Sequence, residues 1–291
     1  MNILIVGHKG MLGSDLLIRL AMAGHEVTGR DIDELDITSR EACREAVGEA
    51  APDAVINAAA YTNVDGCESD REGCFAVNAR GVENLALACR DRGIRMVHFS
   101  TDYVFDGRKG TPYREDDPCG PLNVYGESKR EGERLLMEAT ENFLLIRTAW
   151  LYGRGGKNFV RTILEKAATT DRLEVVADQV GSPTYSWDLA GAVCLLLEGG
   201  QRGIFHITNR GTTSWYAFAR KILELAGKTA VAVSPVTTER FPRPAVRPRY
   251  SVLSSRRFTE ATGRTLRFWP LALEEFLSHT GYPADPKVAR H

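Results

Sequence analysis

The sequence predicts an α/β fold, a doubly wound parallel sheet followed by a smaller carboxy-terminal lobe. Three observations predict it. Short apolar runs alternate with longer amphipathic stretches up to about Trp150, the first run passes straight into a glycine turn, and the rhythm breaks after Trp150. The chain has 291 residues, longer than one average domain, so two units are expected: 1–150 as a nucleotide-binding half and 151–291 mainly as the smaller lobe. Some later segments are expected to return to the main sheet.

The elements follow in order. NILIV (Asn2–Val6) is a buried-strand run, and MLGSDLLIRLAMAG after it has helical spacing. HEVTGRD reads as strand, SREACREAVGEA as helix and DAVINAAA as strand. FAVNARGVENLALACRDRG follows as helix and RMVHFST as strand. LNVYGESKREGERLLMEA is helical from about Val124, and FLLIRTAW is strand again. Parallel neighbours need a crossover, which is why strand and helix alternate. After Trp150 come a helix in NFVRTILEKAAT, a strand in EVVADQV, a helix in WDLAGAVCLLLEGG, a strand GIFHIT and a helix SWYAFARKILELAG. The stretch from Arg240 to Arg257 holds three prolines, six arginines and no acidic residue, which excludes a regular helix or central strand.

Composition narrows the partners. With 37 basic and 38 acidic residues, nothing pulls the chain globally toward nucleic acid or a membrane surface. No apolar run reaches membrane-span length, and the first ten residues show no export signal. The six cysteines (Cys43, Cys67, Cys74, Cys89, Cys119 and Cys194) form no CxxC pair and read as reduced residues, pointing to the cytoplasm. His8, His25, His98 and His206 lack metal-ligand spacing and read as structural or surface residues, so no metal ligand is assigned.

GHKGMLG sets Gly7, Gly10 and Gly13 between the first strand and the first helix. At that junction one glycine makes the turn, one admits a pyrophosphate and one lets helix pack on strand, as in Rossmann-type dinucleotide sites. The helix start adds unpaired N–H groups and a positive dipole end. The spacing, GxxGxxG, is one residue longer than the usual fingerprint, and an ordinary strand–helix turn is the competing reading. At the end of the second strand Asp31 suits an adenosine ribose, whereas Arg30 suits a 2′-phosphate, so NAD and NADP both stay open. Asp36 and Ile37 could flank an adenine, and Ile37 fits the core equally well.

NVYGESKREGE carries Tyr125 four residues before Lys129, one helical face. A lysine ammonium about 4 Å from a phenolate, at an effective dielectric of about 20, attracts it by roughly 4 kcal/mol. That is enough to bring a tyrosine from about 10 toward neutrality, where general acid catalysis works best. Thr101 ends an apolar strand at the sheet edge where ligands bind, although a threonine there also bonds to its own turn. Trp150 ends another strand and offers a flat face for a sugar, or a core contact.

The glycine turn, NAAAYTNVD, FSTDYVFDG, NVYGESKREGE and RTAWLYG occur in that order, followed by DQVGSPT, RGTTSW and RPRYSVLSS. As an ordered set these resemble the extended short-chain dehydrogenase/reductases, and more narrowly the dTDP-4-dehydrorhamnose reductase family, over nearly the whole chain. The resemblance implies reduction of a 4-keto nucleotide sugar by NADPH or NADH in dTDP-rhamnose synthesis, with the later lobe holding the sugar nucleotide. It implies Tyr125 as proton donor, Lys129 on the nicotinamide ribose, and Thr101 on the keto oxygen. By the same matching, Gly10, Met11 and Leu12 fall on the pyrophosphate turn, Ala60, Tyr61 and Thr62 on the cofactor side of the third strand, and Phe99 just before the threonine. Asp102 and Trp150 match substrate-touching positions. Some relatives hold Mg2+ between acidic residues at a dimer interface; no such cluster is matched here, which leaves both magnesium and a homodimer open. The Arg240–Arg257 segment suits a substrate diphosphate.

Two other readings share these residues. Another nucleotide-sugar reductase, epimerase or dehydratase of the superfamily would share the fold, glycine turn and Tyr/Lys pair; dehydratases carry Thr-Asp-Glu, and here the triplet is Thr101-Asp102-Tyr103, which lacks the acid that helps eliminate water. A non-catalytic NADP-binding regulatory subunit shares the fold, but the intact Thr101, Tyr125 and Lys129 favour catalysis.

Overall fold

Six strands pair in parallel as the central sheet: β1 (Asn2–Val6), β2 (Glu26–Arg30), β3 (Ala54–Asn57), β4 (Arg95–Thr101), β5 (Phe143–Thr148) and β6 (Gly203–His206). This computed structural model describes residues 1–281; positions 282–291 of the expected second lobe lie outside the described residues. The strand order is β6-β5-β4-β3-β1-β2, so the winding reverses between β1 and β3.

Both faces of the sheet are covered, which is why its strands read as unbroken apolar runs. Side chains alternate along a strand, so Ile3 and Ile5 face one layer while Leu4 and Val6 face the other. The first layer holds α1 (Met11–Met22), through Leu12, Leu16 and Leu20. The second holds α2 (Arg40–Ala50) and α3 (Gly81–Arg90), through Cys43, Val47, Val82, Leu85 and Cys89. Next in the chain, α4 (Val124–Ala139) adds Leu136 to that second layer. Finally α5 (Ser186–Glu198) joins the first layer through Leu189, Val193 and Leu196.

Two segments after Trp150 therefore belong to the sheet: α5 covers one face, and β6 pairs with β5. The rest gathers around a separate aromatic core of Tyr152, Tyr185, Phe218, Trp269 and Phe276.

Two local expectations are corrected. The helix expected from Phe75 to Gly93 is broken into Arg71–Phe75, a π turn at Ala76–Arg80 and α3. A short helix, Val64–Ser69, precedes it, capped by Asn63, whose side chain accepts from the Gly66 N–H. Trp150 does not end a strand: β5 stops at Thr148, and Trp150 turns the chain with φ +48°.

Candidate active site

The sheet's winding reverses between β1 and β3, and a crevice opens there outside the carboxyl ends of the strands. A cavity of about 340 Å³ fills it, lined by Gly7, Gly10, Asp31, Asp36, Ile37, Ala60 and Tyr61 among others. Gly7 has φ +81°, and a Cβ there would stand 2.6 Å from the Ala59 nitrogen. A Cβ on Gly13 would stand 2.1 Å from the Gly7 carbonyl oxygen. The turn is thus a cradle only glycine can build. Gly10 is the N-cap of α1, and the N–H groups of Met11, Leu12 and Gly13 lie before the helical ladder begins. Leu12 buries its side chain in the core, so only its N–H can serve a ligand.

Around this cradle the expected residues separate. Asp31 accepts the Lys9 N–H at 2.8 Å and the Ile32 N–H at 2.9 Å, tying the glycine turn to the end of β2. Arg30 donates to the Gly29 carbonyl at 3.3 Å and pairs with no carboxylate among the described residues. Asp36 lines the cavity and accepts from the Thr38 N–H and hydroxyl. Ile37 is buried among α2 and α3 side chains, with its edge at the cavity. Thr62 is exposed and outside the lining. Phe99 places its ring in the core and its carbonyl toward Lys129.

The second half of the site is set by α4. Asn123 caps it, accepting from the Gly126 N–H at 2.8 Å, and Val124 N–H donates to Glu68 at 2.9 Å. Helical spacing then puts Tyr125, Lys129 and Glu133 on one face. The Lys129 Nζ is buried; it donates to the Phe99 carbonyl at 2.7 Å and lies 3.5 Å from His98 Nε2. Burial lowers Lys129 to about 8, with the Glu133 charge opposing. Glu133 is itself held by both arms of buried Arg147, each at 2.8 Å, which anchors α4 to β5.

Burial pushes the Tyr125 phenol up, the charge of Asp102 adds to this, and the Thr101 hydroxyl opposes it. This reverses the expected direction. The physical reason is that the surroundings are dry and acidic, while the lysine ammonium is engaged by Phe99 and His98. Thr101 closes β4; its hydroxyl donates to Asp102 at 3.0 Å and accepts the Tyr103 N–H at 3.2 Å, so it also bonds to its own turn. Asp102 is 2% exposed, one carboxyl oxygen has no partner, and burial raises it to about 7 against the Ser251 and Thr101 hydroxyls. Tyr103 packs edge-on to Tyr125, ring centres 5.9 Å apart.

Trp150 is less open than expected, because Trp215 stacks on it at 3.5 Å and Gly181 lies against its ring. The arginine segment does come near the site, but chiefly through one residue. Arg247 donates to Asp65 at 2.5 Å, and the Val246 carbonyl accepts from Asn123 at 2.6 Å. Arg240, Arg243, Arg249 and Arg256 stay largely exposed and pair with Glu174, Asp65, Glu239 and Glu260. Sequence reasoning missed Asp65, Asn78, Tyr103 and Asn123. Only Asn123 had a local signal, an Asx cap before the helical run. Asn78 sits in the π turn, where its amide clamps the Tyr61 N–H at 2.9 Å and carbonyl at 3.0 Å.

Among the described residues no group of three or more His, Cys, Asp and Glu side chains could hold a metal ion, and no helix is long and apolar enough to cross a membrane.

Comparison with known proteins gives one family. The model for the RmlD substrate binding domain matches residues 1–281. A dTDP-4-dehydrorhamnose reductase of Streptomyces griseus is 45% identical over 94% of this chain and 91% of its own. The spore coat polysaccharide biosynthesis protein SpsK of Bacillus subtilis is 44% identical over 98% of this chain and 99% of its own. The crystal structure of dTDP-4-dehydrorhamnose reductase from Bacillus anthracis, in complex with NADP, superposes with a TM-score of 0.93 at 36% identity, covering 96% of this chain and 99% of that one.

Proposed function

The chain belongs to the RmlD substrate-binding-domain family, and from that premise we propose that it reduces the 4-keto group of dTDP-4-dehydro-L-rhamnose to dTDP-L-rhamnose, using NADPH or NADH. The observation that carries the reading is a half-buried Tyr125 beside the buried Thr101 and Asp102, at the carboxyl edge of the sheet that also bears the glycine crevice.

The crevice suits a dinucleotide, since a Cβ on Gly7 or Gly13 would fill it or collide with its wall. The N–H groups of Met11, Leu12 and Gly13 would hold the pyrophosphate, and Asp31 or Arg30 the adenosine ribose. Asp36 and Ile37 would border the adenine, and Ala60 and Tyr61 the opposite wall. The bound coenzyme supplies the hydride. Tyr125 supplies the proton: a phenol raised by burial stays protonated at neutral pH, the form an acid must start in. Giving the proton to the carbonyl oxygen leaves a phenolate on the helix face that also carries Lys129, one turn further on. Thr101 positions the keto oxygen, and Asp102 holds a sugar hydroxyl. Segments after Trp150 supply the nucleotide-sugar side, and the unpaired cysteines support a cytoplasmic setting.

The test is the fall of NADPH absorbance on addition of dTDP-4-dehydrorhamnose. Wild type should turn over, and Tyr125→Phe should lose at least about a hundredfold in kcat. A fully active Tyr125→Phe would reject the acid. Turnover of only a different nucleotide sugar would reject the substrate.

A further inference from the structure

Cys67 and Cys74 take no part in the chemistry above, yet their sulfurs lie beside it. Both are fully buried, Cys67 on the Val64–Ser69 helix and Cys74 on the Arg71–Phe75 helix. They share a small cluster with Val124, Tyr61, Phe75 and Tyr125. The two Sγ atoms stand 2.7 Å apart. That is well inside the about 3.5–4.0 Å of unbonded heavy atoms, and within about 0.7 Å of the ~2.05 Å disulfide bond. Among the described residues no other two cysteine sulfurs meet in this way.

The pair is also wired to the site. Cys74 Sγ lies 3.1 Å from the Ser128 hydroxyl and 3.6 Å from the Asn78 amide nitrogen. Ser128 adjoins Lys129, and Asn78 clamps both backbone groups of Tyr61 in the cavity wall. A covalent bond to Cys67 would remove the S–H by which Cys74 donates to Ser128 and draw its sulfur toward Cys67.

We propose that Cys67 and Cys74 are a disulfide-forming site, and that closing the bond slows turnover by loosening Ser128 and Asn78 beneath Tyr125. A peroxide is the fitting oxidant, because it is small enough to reach buried sulfur during brief openings of two short helices. One thiolate attacks a peroxide oxygen, the O–O bond breaks, and a sulfenic acid forms. The second thiolate attacks that sulfur and expels the oxygen as hydroxide. In sum two thiols and one hydrogen peroxide become one disulfide and two waters. Burial pushes the Cys67 thiol up, which keeps the reduced pair quiet and makes the reaction slow. Nearness of the second sulfur favours the disulfide over further oxidation of the first.

The experiment incubates the intact protein with hydrogen peroxide, quenches with catalase, and counts thiols after denaturation. Four of the six thiols should remain, with a peptide map joining Cys67 to Cys74 and all six returning with dithiothreitol. Reductase turnover should fall several-fold on oxidation and recover on reduction, while Cys67→Ala keeps its full rate through the treatment and Cys74→Ala, which lacks the contacts to Ser128 and Asn78 from the start, is slower before it and no slower after it. Six thiols remaining, or a bridge between other cysteines, would overturn the site. Equal loss in wild type and both variants would overturn its link to turnover. The activity arm rests on the proposed reduction, but the thiol count and peptide map do not, so the two ideas fail separately.

Discussion

The two sides of the cleft are made of different materials. The side proposed for the coenzyme is mostly backbone: a glycine turn, the start of α1 and the end of β3, drawn from short stretches of chain. The side proposed for the substrate is mostly side chains from distant segments. Arg247 reaches Asp65, Asn123 reaches Val246, and Trp150 lies on Trp215. Backbone recognition of phosphate depends on a conformation that few residue types allow, so one wrong residue spoils it. A side-chain lattice instead shares its load, and loses specificity by degrees. Beneath both lies the Arg147–Glu133 pair, which joins α4 to the sheet.

Breaking that shared foundation should have the largest effect. Arg147→Leu would leave buried Glu133 with the partly exposed Arg130 as its one remaining ion-pair partner among the described residues, and should cost about 3–5 kcal/mol of stability in urea unfolding. A cost below about 1 kcal/mol would show that α4 is anchored by packing alone. Next comes the backbone side. Gly13→Ala would drive a methyl into the Gly7 carbonyl, and coenzyme Kd, read by fluorescence titration, should rise at least about tenfold, or about 1.4 kcal/mol. An unchanged Kd would refute the cradle.

On the side-chain side the effect should be smaller and selective. Arg247→Ala should raise KM for the nucleotide sugar several-fold and leave coenzyme Kd alone; the reverse pattern would dissolve the distinction between the two sides. The smallest effect is a pH slope. Asp102 is raised to about 7 in the fold, against about 3.9 when free, so between those values the folded state holds the extra proton. Its contribution to stability is therefore lost as pH rises from about 4 to about 7. Asp102→Asn should remove that fall, seen as a stability difference from wild type that grows across this window. A constant difference would mean that Asp102 stays ionised.

Much of the architecture was readable before any coordinates. The alternation up to Thr148 marks β1 to β5, because strand and helix periods are properties of neighbouring residues. Gly7, Gly10 and Gly13 are legible for the same reason, and so is the common face of Tyr125 and Lys129. The resemblance to a known family added roles that periodicity cannot supply. Nothing local announced the π turn that carries Asn78. It arises inside a run that is helical by every local measure, and its polar amide finds Tyr61 and Ser128 only after packing.

By itself, then, the sequence determined the layered α/β fold, the place of the glycine turn and the helix that bears Tyr125 and Lys129. Tertiary structure alone decided that GIFHIT becomes the sixth strand of the main sheet, that Trp150 lies under Trp215, and that the Tyr125 phenol is raised rather than lowered. The reason is one of range. Conformational preference acts within a turn or two of chain, whereas exclusion of water and the meeting of charges depend on which remote segments arrive beside a group.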